Sequence, residues 1–321
     1  MATKTAFITG ISGQDGAYLA ALLIKNGYNV IGIVRSQSST ELRGLEYLGI
    51  KNEVIIEECD LLDISQIIKL LFQYKPNEIY NLAAQSSVSM SFKQPIGTFR
   101  FNTMSVYNLL EAIKLADAGI KFYQASSSEM YGKVNSLPIT ENSVLHPVSP
   151  YAISKAAAHW SCIHYRESYN MFVCCGILFN HESYLRSNNF FMKKIITDSI
   201  RISRNELSEL LVGNIDISRD FGYAPLYVEG MYRMMQAEKA DDYIICSGKS
   251  VQLRLIIEYV FAKLHIDKSR CKISKDLYRP ADIENIYGDP AKVQEKLGWH
   301  YSLSYQDLLD KLLEEELRNW H

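Results

Sequence analysis

The chain has 321 residues, 47% apolar and 22% charged, with 34 basic against 36 acidic side chains and a formal net charge of −2. This composition supports a sizeable core and excludes disorder and collagen-like repetition. The near-neutral balance offers no field for a nucleic-acid backbone or an anionic membrane, so a phosphate-bearing ligand has to be caught by local groups.

No apolar run approaches the ~18 residues of a membrane span. The longest, Met171 to Phe179, reads as a buried strand. The N-terminus lacks the apolar stretch and small-residue cleavage site of a signal peptide. The six cysteines form no C-x-x-C pair, and Cys174-Cys175 are adjacent inside an apolar run. They predict buried free thiols, with no disulfide and no metal, in a reducing, cytoplasmic setting.

Residues 4–9, 29–34, 53–58, 78–83, 120–126 and 171–178 read as strands. Helical patterns lie between them near 14–26, 63–75, 95–118 and 148–169. This alternation predicts an α/β fold: a Rossmann-like, doubly wound parallel sheet covered on both faces. After about residue 180 the rhythm becomes irregular, and 180–227 and 270–290 are richer in Asn, Arg, Ser and Asp. The expected division is a dinucleotide-binding domain over 1–179, with some later segments returning to it, and a mainly substrate-binding lobe over 180–321. Leu308 to Arg318 reads as an amphipathic helix whose Glu314-Glu315-Glu316 run forms a solvated face.

The first strand runs into Gly10-Ile11-Ser12-Gly13-Gln14-Asp15-Gly16, a G-x-x-G-x-x-G loop opening a helix. Glycines let backbone N–H groups approach a pyrophosphate, and the helix N-terminus adds its positive dipole end. NAD sites place an acid at the end of the second strand; this chain has Arg35-Ser36, which suits a 2′-phosphate and points to NADP. Asp60-Leu61 follows the third strand, where a carboxylate suits an adenine amino group. Small residues around Leu82, Ala84 and Ser86 after the fourth strand let a flat ligand lie over the strand ends.

Ser149-Pro150 starts a helix that carries Tyr151 and Lys155 on one face. The Lys ammonium is expected to lower the phenol's pKa toward a working value. The fifth strand ends in Ser126-Ser127-Ser128-Glu129, facing the same crevice. Simple hydride transfer needs Ser, Tyr and Lys; the further carboxylate of Glu129 suits removal of a proton beside a carbonyl.

Together these motifs resemble the extended short-chain dehydrogenase/reductase family, and within it the GDP-mannose 4,6-dehydratases over nearly the whole chain. The closer segments are Phe179-Asn180-His181-Glu182-Ser183 and Gly213 to Asp220; Tyr227 to Met231, Arg279 to Asp282 and Gly288-Asp289-Pro290 also match. The resemblance implies an NADP-dependent dehydration of a GDP-sugar, with NADP regenerated at each turnover. Tyr151, Lys155 and Ser127 would act at C4, and Glu129 at C5 and C6. It assigns Ser86, Ser127, Glu129, Asn180, Lys194, Arg219 and Arg279 to substrate, and His181 to the cofactor side. It also implies a homodimer or homotetramer. After Ser183 the family carries Pro-Arg-Arg-Gly or Pro-Leu-Arg-Gly, where this chain reads Tyr184-Leu185-Arg186-Ser187. That departure lies in the substrate lobe. It leaves open another GDP-sugar, such as GDP-manno-heptose, beside the rival of an NADPH-dependent nucleotide-sugar reductase or epimerase.

Overall fold

A computed structural model describes residues 3–320. The first half alternates as its apolar runs dictate. Strand β1 (Thr5–Thr9) leads to α1 (Gln14–Lys25), β2 (Asn29–Val34), a short α2 (Arg43–Tyr47) and β3 (Val54–Glu58). Then come α3 (Ile64–Tyr74), β4 (Glu78–Asn81), α4 (Val88–Lys93), α5 (Pro95–Ala116) and β5 (Lys121–Ser127). Helix α6 (Pro150–Tyr169) returns the chain to β6 (Val173–Leu178). Local chemistry sets several of these starts. Asp63 caps α3 by accepting from the Ser65 N–H, and Pro95 and Pro150 stand in the first turns of α5 and α6, where no N–H is needed.

The second half is more broken. It runs β7 (Asn180–Glu182), α7 (Phe191–Ser203), β8 (Leu210–Val212), β9 (Ser218–Tyr223), α8 (Ala224–Gln236) and β10 (Asp242–Ile245). It continues through β11 (Ser250–Gln252), α9 (Leu253–Lys263), β12 (Cys271–Ile273), β13 (Asn285–Ile286), α10 (Ala291–Leu297) and α11 (Tyr305–Arg318).

The central sheet has seven parallel strands in the order β10-β6-β5-β4-β1-β2-β3. The order reverses between β1 and β4, the switch point at which doubly wound sheets bind ligands. On one face α1 and α8 bury Leu19, Leu23, Met231 and Met234 against Tyr80 and Tyr123. On the other, α3, α5 and α6 bury Leu70, Leu109, Ile113 and Cys162. Strand β10 and helix α8 return from beyond residue 223 to complete this layer structure. The smaller lobe has its own core, where Ile195, Ile200, Phe221, Ile256 and Leu312 meet. Asp220 of β9, fully buried, fastens that lobe to the loop after β10. It accepts from the Ser247 N–H and hydroxyl at 2.9 and 2.7 Å and from the Gly248 N–H at 3.0 Å.

The acidic run of α11 is not one solvated face. Glu314 is exposed and pairs with Arg318, but Glu315 accepts from the Tyr223 hydroxyl at 2.9 Å and Glu316 pairs with Lys193. The Lys193 and Glu316 side chains are only 8% and 12% exposed, and Lys193 Nζ also donates to the Tyr184 carbonyl at 2.7 Å. Composition alone hides this, because three adjacent helical residues point about 100° apart and cannot share one environment. Removing one member of a buried pair strands the other's charge. Glu316→Gln is therefore expected to lower stability by about 3–5 kcal/mol, read as a fall in the urea midpoint with an unchanged slope.

Among the described residues no helix is long and apolar enough to cross a membrane. All six cysteines are unpaired, five of them buried and Cys271 half-buried.

Candidate active site

The carboxyl edge of the parallel sheet opens onto a cleft walled on its far side by the smaller lobe. Its floor begins at the glycine loop. Gly10 has φ +70°, and a Cβ there would lie 2.9 Å from the Ala83 amide nitrogen; one on Gly16 would lie 2.4 Å from the Gly10 carbonyl. Strand, loop and helix therefore meet backbone to backbone. Gly13 stands at the cap of α1 with no side chain over the helix end, and first-turn N–H groups have no intrahelical acceptor. Asp15 Oδ1 is buried at this loop without a hydrogen-bond partner, whereas Arg186 Nε lies 3.5 Å from the Glu182 carboxylate. A cradle with no room for a Cβ and N–H groups without intrahelical acceptors fit a dinucleotide.

Asp15, Leu82, Ala84, Ser86, Asn180 and His181 line the cleft. The His181 ring is spoken for on both sides: Nδ1 lies 2.7 Å from the Phe179 carbonyl and Nε2 2.8 Å from Asp15 Oδ2. Both partners accept only, so the geometry calls for an imidazolium. Burial opposes the charge on each group, but the opposite charge offsets it, raising His181 and lowering Asp15. The His181 contribution is full below its unfolded pKa of about 6.5 and is lost as pH rises through its raised folded-state value. The Asp15 contribution is lost as pH falls through its own lowered value. The urea midpoint is therefore expected to drop from pH 6 to pH 8.5, and to drop less in His181→Gln.

Other predicted residues have partners within the chain or stand outside this cleft. Gln14 does not face the cleft: its amide donates to the His181 carbonyl at 2.9 Å and accepts from the Ser183 hydroxyl at 2.8 Å, tying α1 to the smaller lobe. Leu61 puts its side chain into the core between α3 and α5. Asp60 turns a carboxylate oxygen back to the Leu62 N–H at 3.0 Å. Arg35 is exposed at the end of β2, beside Ser36, and neither lines the cleft. Lys194 points away from it, held by Asp198 at 2.7 Å and the Leu211 carbonyl at 3.0 Å.

Ser149 caps α6 by accepting from the Ala152 N–H at 3.1 Å, and the helix then places Tyr151 and Lys155 over the end of β5. Both are buried and both line the cleft with Ser127 and Glu129. Lys155 Nζ donates to the Ala125 carbonyl at 2.9 Å and lies 6.0 Å from the Tyr151 ring centre. The phenol is not lowered overall in the free protein. Burial pushes it up to about 12; the Ser127 hydroxyl and Arg186 pull it down, and Glu129 pushes it up. Burial likewise pulls the Lys155 ammonium down to about 8. Helical spacing revealed the shared face but not the withdrawal of both groups from water.

Glu129 sits in a short 3₁₀ turn, Ser128–Met130, with its N–H directed at the Ser127 hydroxyl at 3.3 Å. Across the cleft Arg219 is 5% exposed and donates to Asp282 at 2.7 Å and to the Ile283 carbonyl at 2.5 Å. Arg279 stands 3.9 Å from the same carboxylate. Arg186, which the sequence marked only as part of an altered turn, also lines the cleft, its guanidinium 3.5 Å from the Phe190 ring centre. The one signal that could have found it is its position five residues beyond His181.

Comparison with known proteins agrees with this geometry. Residues 7–312 match the family model described as GDP-mannose 4,6 dehydratase. GDP-mannose 4,6 dehydratase 1 of Arabidopsis thaliana is 39% identical over 98% of this chain and 90% of its own length. The human GDP-mannose 4,6 dehydratase is 37% identical over 98% and 91%. Among solved structures, RMD from Pseudomonas aeruginosa complexed with NADPH superposes with a TM-score of 0.82 at 26% identity, covering 98% of this chain and 100% of that one. DesIV, a dTDP-glucose 4,6-dehydratase from Streptomyces venezuelae, gives 0.88 at 20% identity, covering 98% and 97%, and shares the fold. By sequence over nearly its whole length, and with a cleft built of the expected groups, the chain belongs to the GDP-mannose 4,6 dehydratase family.

Proposed function

We propose that the protein catalyses NADP-dependent 4,6-dehydration of a GDP-sugar, with GDP-mannose as substrate and the GDP-4-keto-6-deoxy sugar as product. The observation that carries this reading is Glu129, a carboxylate in the same cleft as Tyr151 and Lys155 and opposite Arg219. A reductase or a 4-epimerase, which moves only a hydride and a hydroxyl proton, needs no such carboxylate. The 1–179 segment serves the cofactor and the smaller lobe the nucleotide-sugar. Arg35 at the end of β2 supports NADP over NAD, as does the NADPH-bound Pseudomonas relative.

In this reading the glycine-loop N–H groups hold the pyrophosphate, and Arg219 and Arg279 hold the substrate diphosphate through charge-assisted bonds. Asn180 and Ser86 border the sugar. NADP held there would accept a hydride from C4 and give the same hydride back at C6, so that no net cofactor is consumed. Ser127 holds the C4 oxygen, and the Tyr151 phenolate takes the proton of the C4 hydroxyl. Lys155, in its ammonium form, stabilises that phenolate. The C4 ketone acidifies C5–H; Glu129 takes this proton and delivers one to the departing C6 hydroxyl, which leaves as water. A proton equivalent to the one Tyr151 took from the C4 hydroxyl then goes to C5, which leaves Tyr151 and Glu129 ionised as they began and closes the cycle.

The exposed flank of α5 and α6 supports a homodimer. Phe99, Met104 and Tyr107 lie on α5 and Ile153 and Trp160 on α6, the last 60% exposed. Packing these helices against a second copy would bury them. Trp160→Glu is expected to halve the mass seen by light scattering, which also separates dimer from tetramer. The buried thiols suit a reducing compartment and so support a cytoplasmic location.

The test is mass spectrometry of GDP-mannose incubated with the protein and NADP⁺ and no reductant. Loss of one water without net cofactor reduction is the expected result. A stoichiometric demand for NADPH would replace the dehydratase with a reductase. An unchanged GDP-mannose peak beside a dehydrated GDP-manno-heptose would move the substrate and keep the reaction.

A further inference from the structure

Beneath the active-site helix lies a second buried polar chain that the chemistry above does not use. His159 leaves α6 one turn after Lys155 and is 6% exposed. Its Nδ1 lies 3.0 Å from the Ser126 hydroxyl. Its Nε2 faces Asp242 of β10 at 3.8 Å, and the Cys175 sulfur of β6 sits in the same cluster. Arg166, farther along α6, holds both Asp242 oxygens at 2.8 and 3.0 Å. The chain thus runs from the end of β5, past β6, to the edge strand β10.

Two residues one turn apart on α6 grip two consecutive residues of β5. Lys155 takes the Ala125 carbonyl at 2.9 Å, and His159 takes the Ser126 side chain. The next residue is Ser127, which lines the cleft together with Tyr151. Both serines border the cleft, but the Ser126 hydroxyl is taken by His159, whereas that of Ser127 is left to the cleft. The far end of the grip is firm, because the bidentate Arg166–Asp242 pair fixes α6 against β10.

We propose that His159 is a positioning residue. Through Ser126 it sets the seat of β5 on α6 and hence the placement of the Ser127 hydroxyl against the Tyr151 phenol. This deepens the dehydratase reading and rests on it for the kinetic part of the test. His159 does not line the cleft and acts at one remove; a misplacement of about 1 Å at the strand end can cost on the order of 10²-fold in rate.

Two replacements separate the contacts of the ring. An Asn amide overlies the Nδ1 edge and keeps the Ser126 bond, whereas a Gln amide reaches toward Asp242 and loses it. In GDP-mannose turnover, His159→Gln is expected to lower kcat about tenfold with KM and cofactor affinity unchanged, and His159→Asn to keep kcat within about twofold. Ser126→Ala should match the Gln variant, and the double variant should fall no further. A substrate-free readout runs in parallel on the intact protein with ¹³Cζ-labelled tyrosine. The Tyr151 resonance, identified by its loss in Tyr151→Phe, should shift in His159→Gln and Ser126→Ala and return in His159→Asn. If the wild type turns over no GDP-sugar, the dehydratase reading fails while this spectrum still decides the positioning role. An unshifted Tyr151 resonance in His159→Gln, or equal losses in the Asn and Gln variants that track a fall in Tm, would overturn it.

Discussion

Glu129→Gln is expected to stop water loss while C4 oxidation continues. The amide is the same size as the carboxylate and keeps the seat of the 3₁₀ turn, whose N–H contact to Ser127 is a backbone one. It cannot take the C5 proton. General acid–base removal is worth about 10²–10⁴ in rate, or about 3–5 kcal/mol of barrier. Mixed with GDP-mannose and NADP⁺, the variant should give a stoichiometric burst of reduced cofactor in the near ultraviolet, with no dehydrated product by mass spectrometry. Run in D₂O, recovered sugar should carry no deuterium at C5. Water loss at the wild-type rate would remove Glu129 from its proposed role.

Tyr151→Phe is expected to fail one step earlier. Without the phenol nothing takes the C4 hydroxyl proton, so kcat should fall by about 10²–10⁴ and the burst seen in the Glu129 variant should be missing. Cofactor affinity should hold, because the ring stays packed and the glycine-loop cradle is untouched. Burial pushes the phenol up to about 12 and pulls Lys155 down to about 8, so neither group is poised in the free protein. The rate of the wild type is thus expected to rise with pH as the phenolate fraction grows, up to about 8, where Lys155 begins to lose the charge that stabilises the phenolate; this rise should be missing from any residual activity of Tyr151→Phe. A burst from Tyr151→Phe equal to that of Glu129→Gln would assign the C4 proton to another group.

Much of this was legible before any coordinates. Strands buried on both faces must be continuous apolar runs, and six such runs appear in order, so the parallel sheet could be read from β1 to β6. Gly10 and Gly16 are glycine because backbone lies within contact distance of any Cβ, and that demand shows in a loop pattern. The last strand of the sheet, β10, was not anticipated. Asp242–Ile245 is short and arrives after the irregular lobe, and only its pairing with Cys175–Leu178 makes it a strand.

The side chains whose fates changed share one property. Lys194 has the charge to hold a diphosphate, yet Asp198 on the next turn of its own helix claims it. Glu315 and Glu316 look solvated until Tyr223 and Lys193 come to meet them. Gln14 belongs to the glycine loop but bonds to residues 167 and 169 positions away. The sequence by itself determined the order of elements up to β6, the close-packed glycine loop, and the pairing of Tyr151 with Lys155 on one helix and of Ser127 with Glu129 at one strand end. These depend on periodicity, turn chemistry and spacing along one strand or helix. Only the tertiary structure decided which charges are buried, which are paired and which are free for a ligand. Desolvation and pairing depend on groups brought close from distant parts of the chain, such as Asp15 and His181, 166 residues apart, and no local pattern encodes that distance.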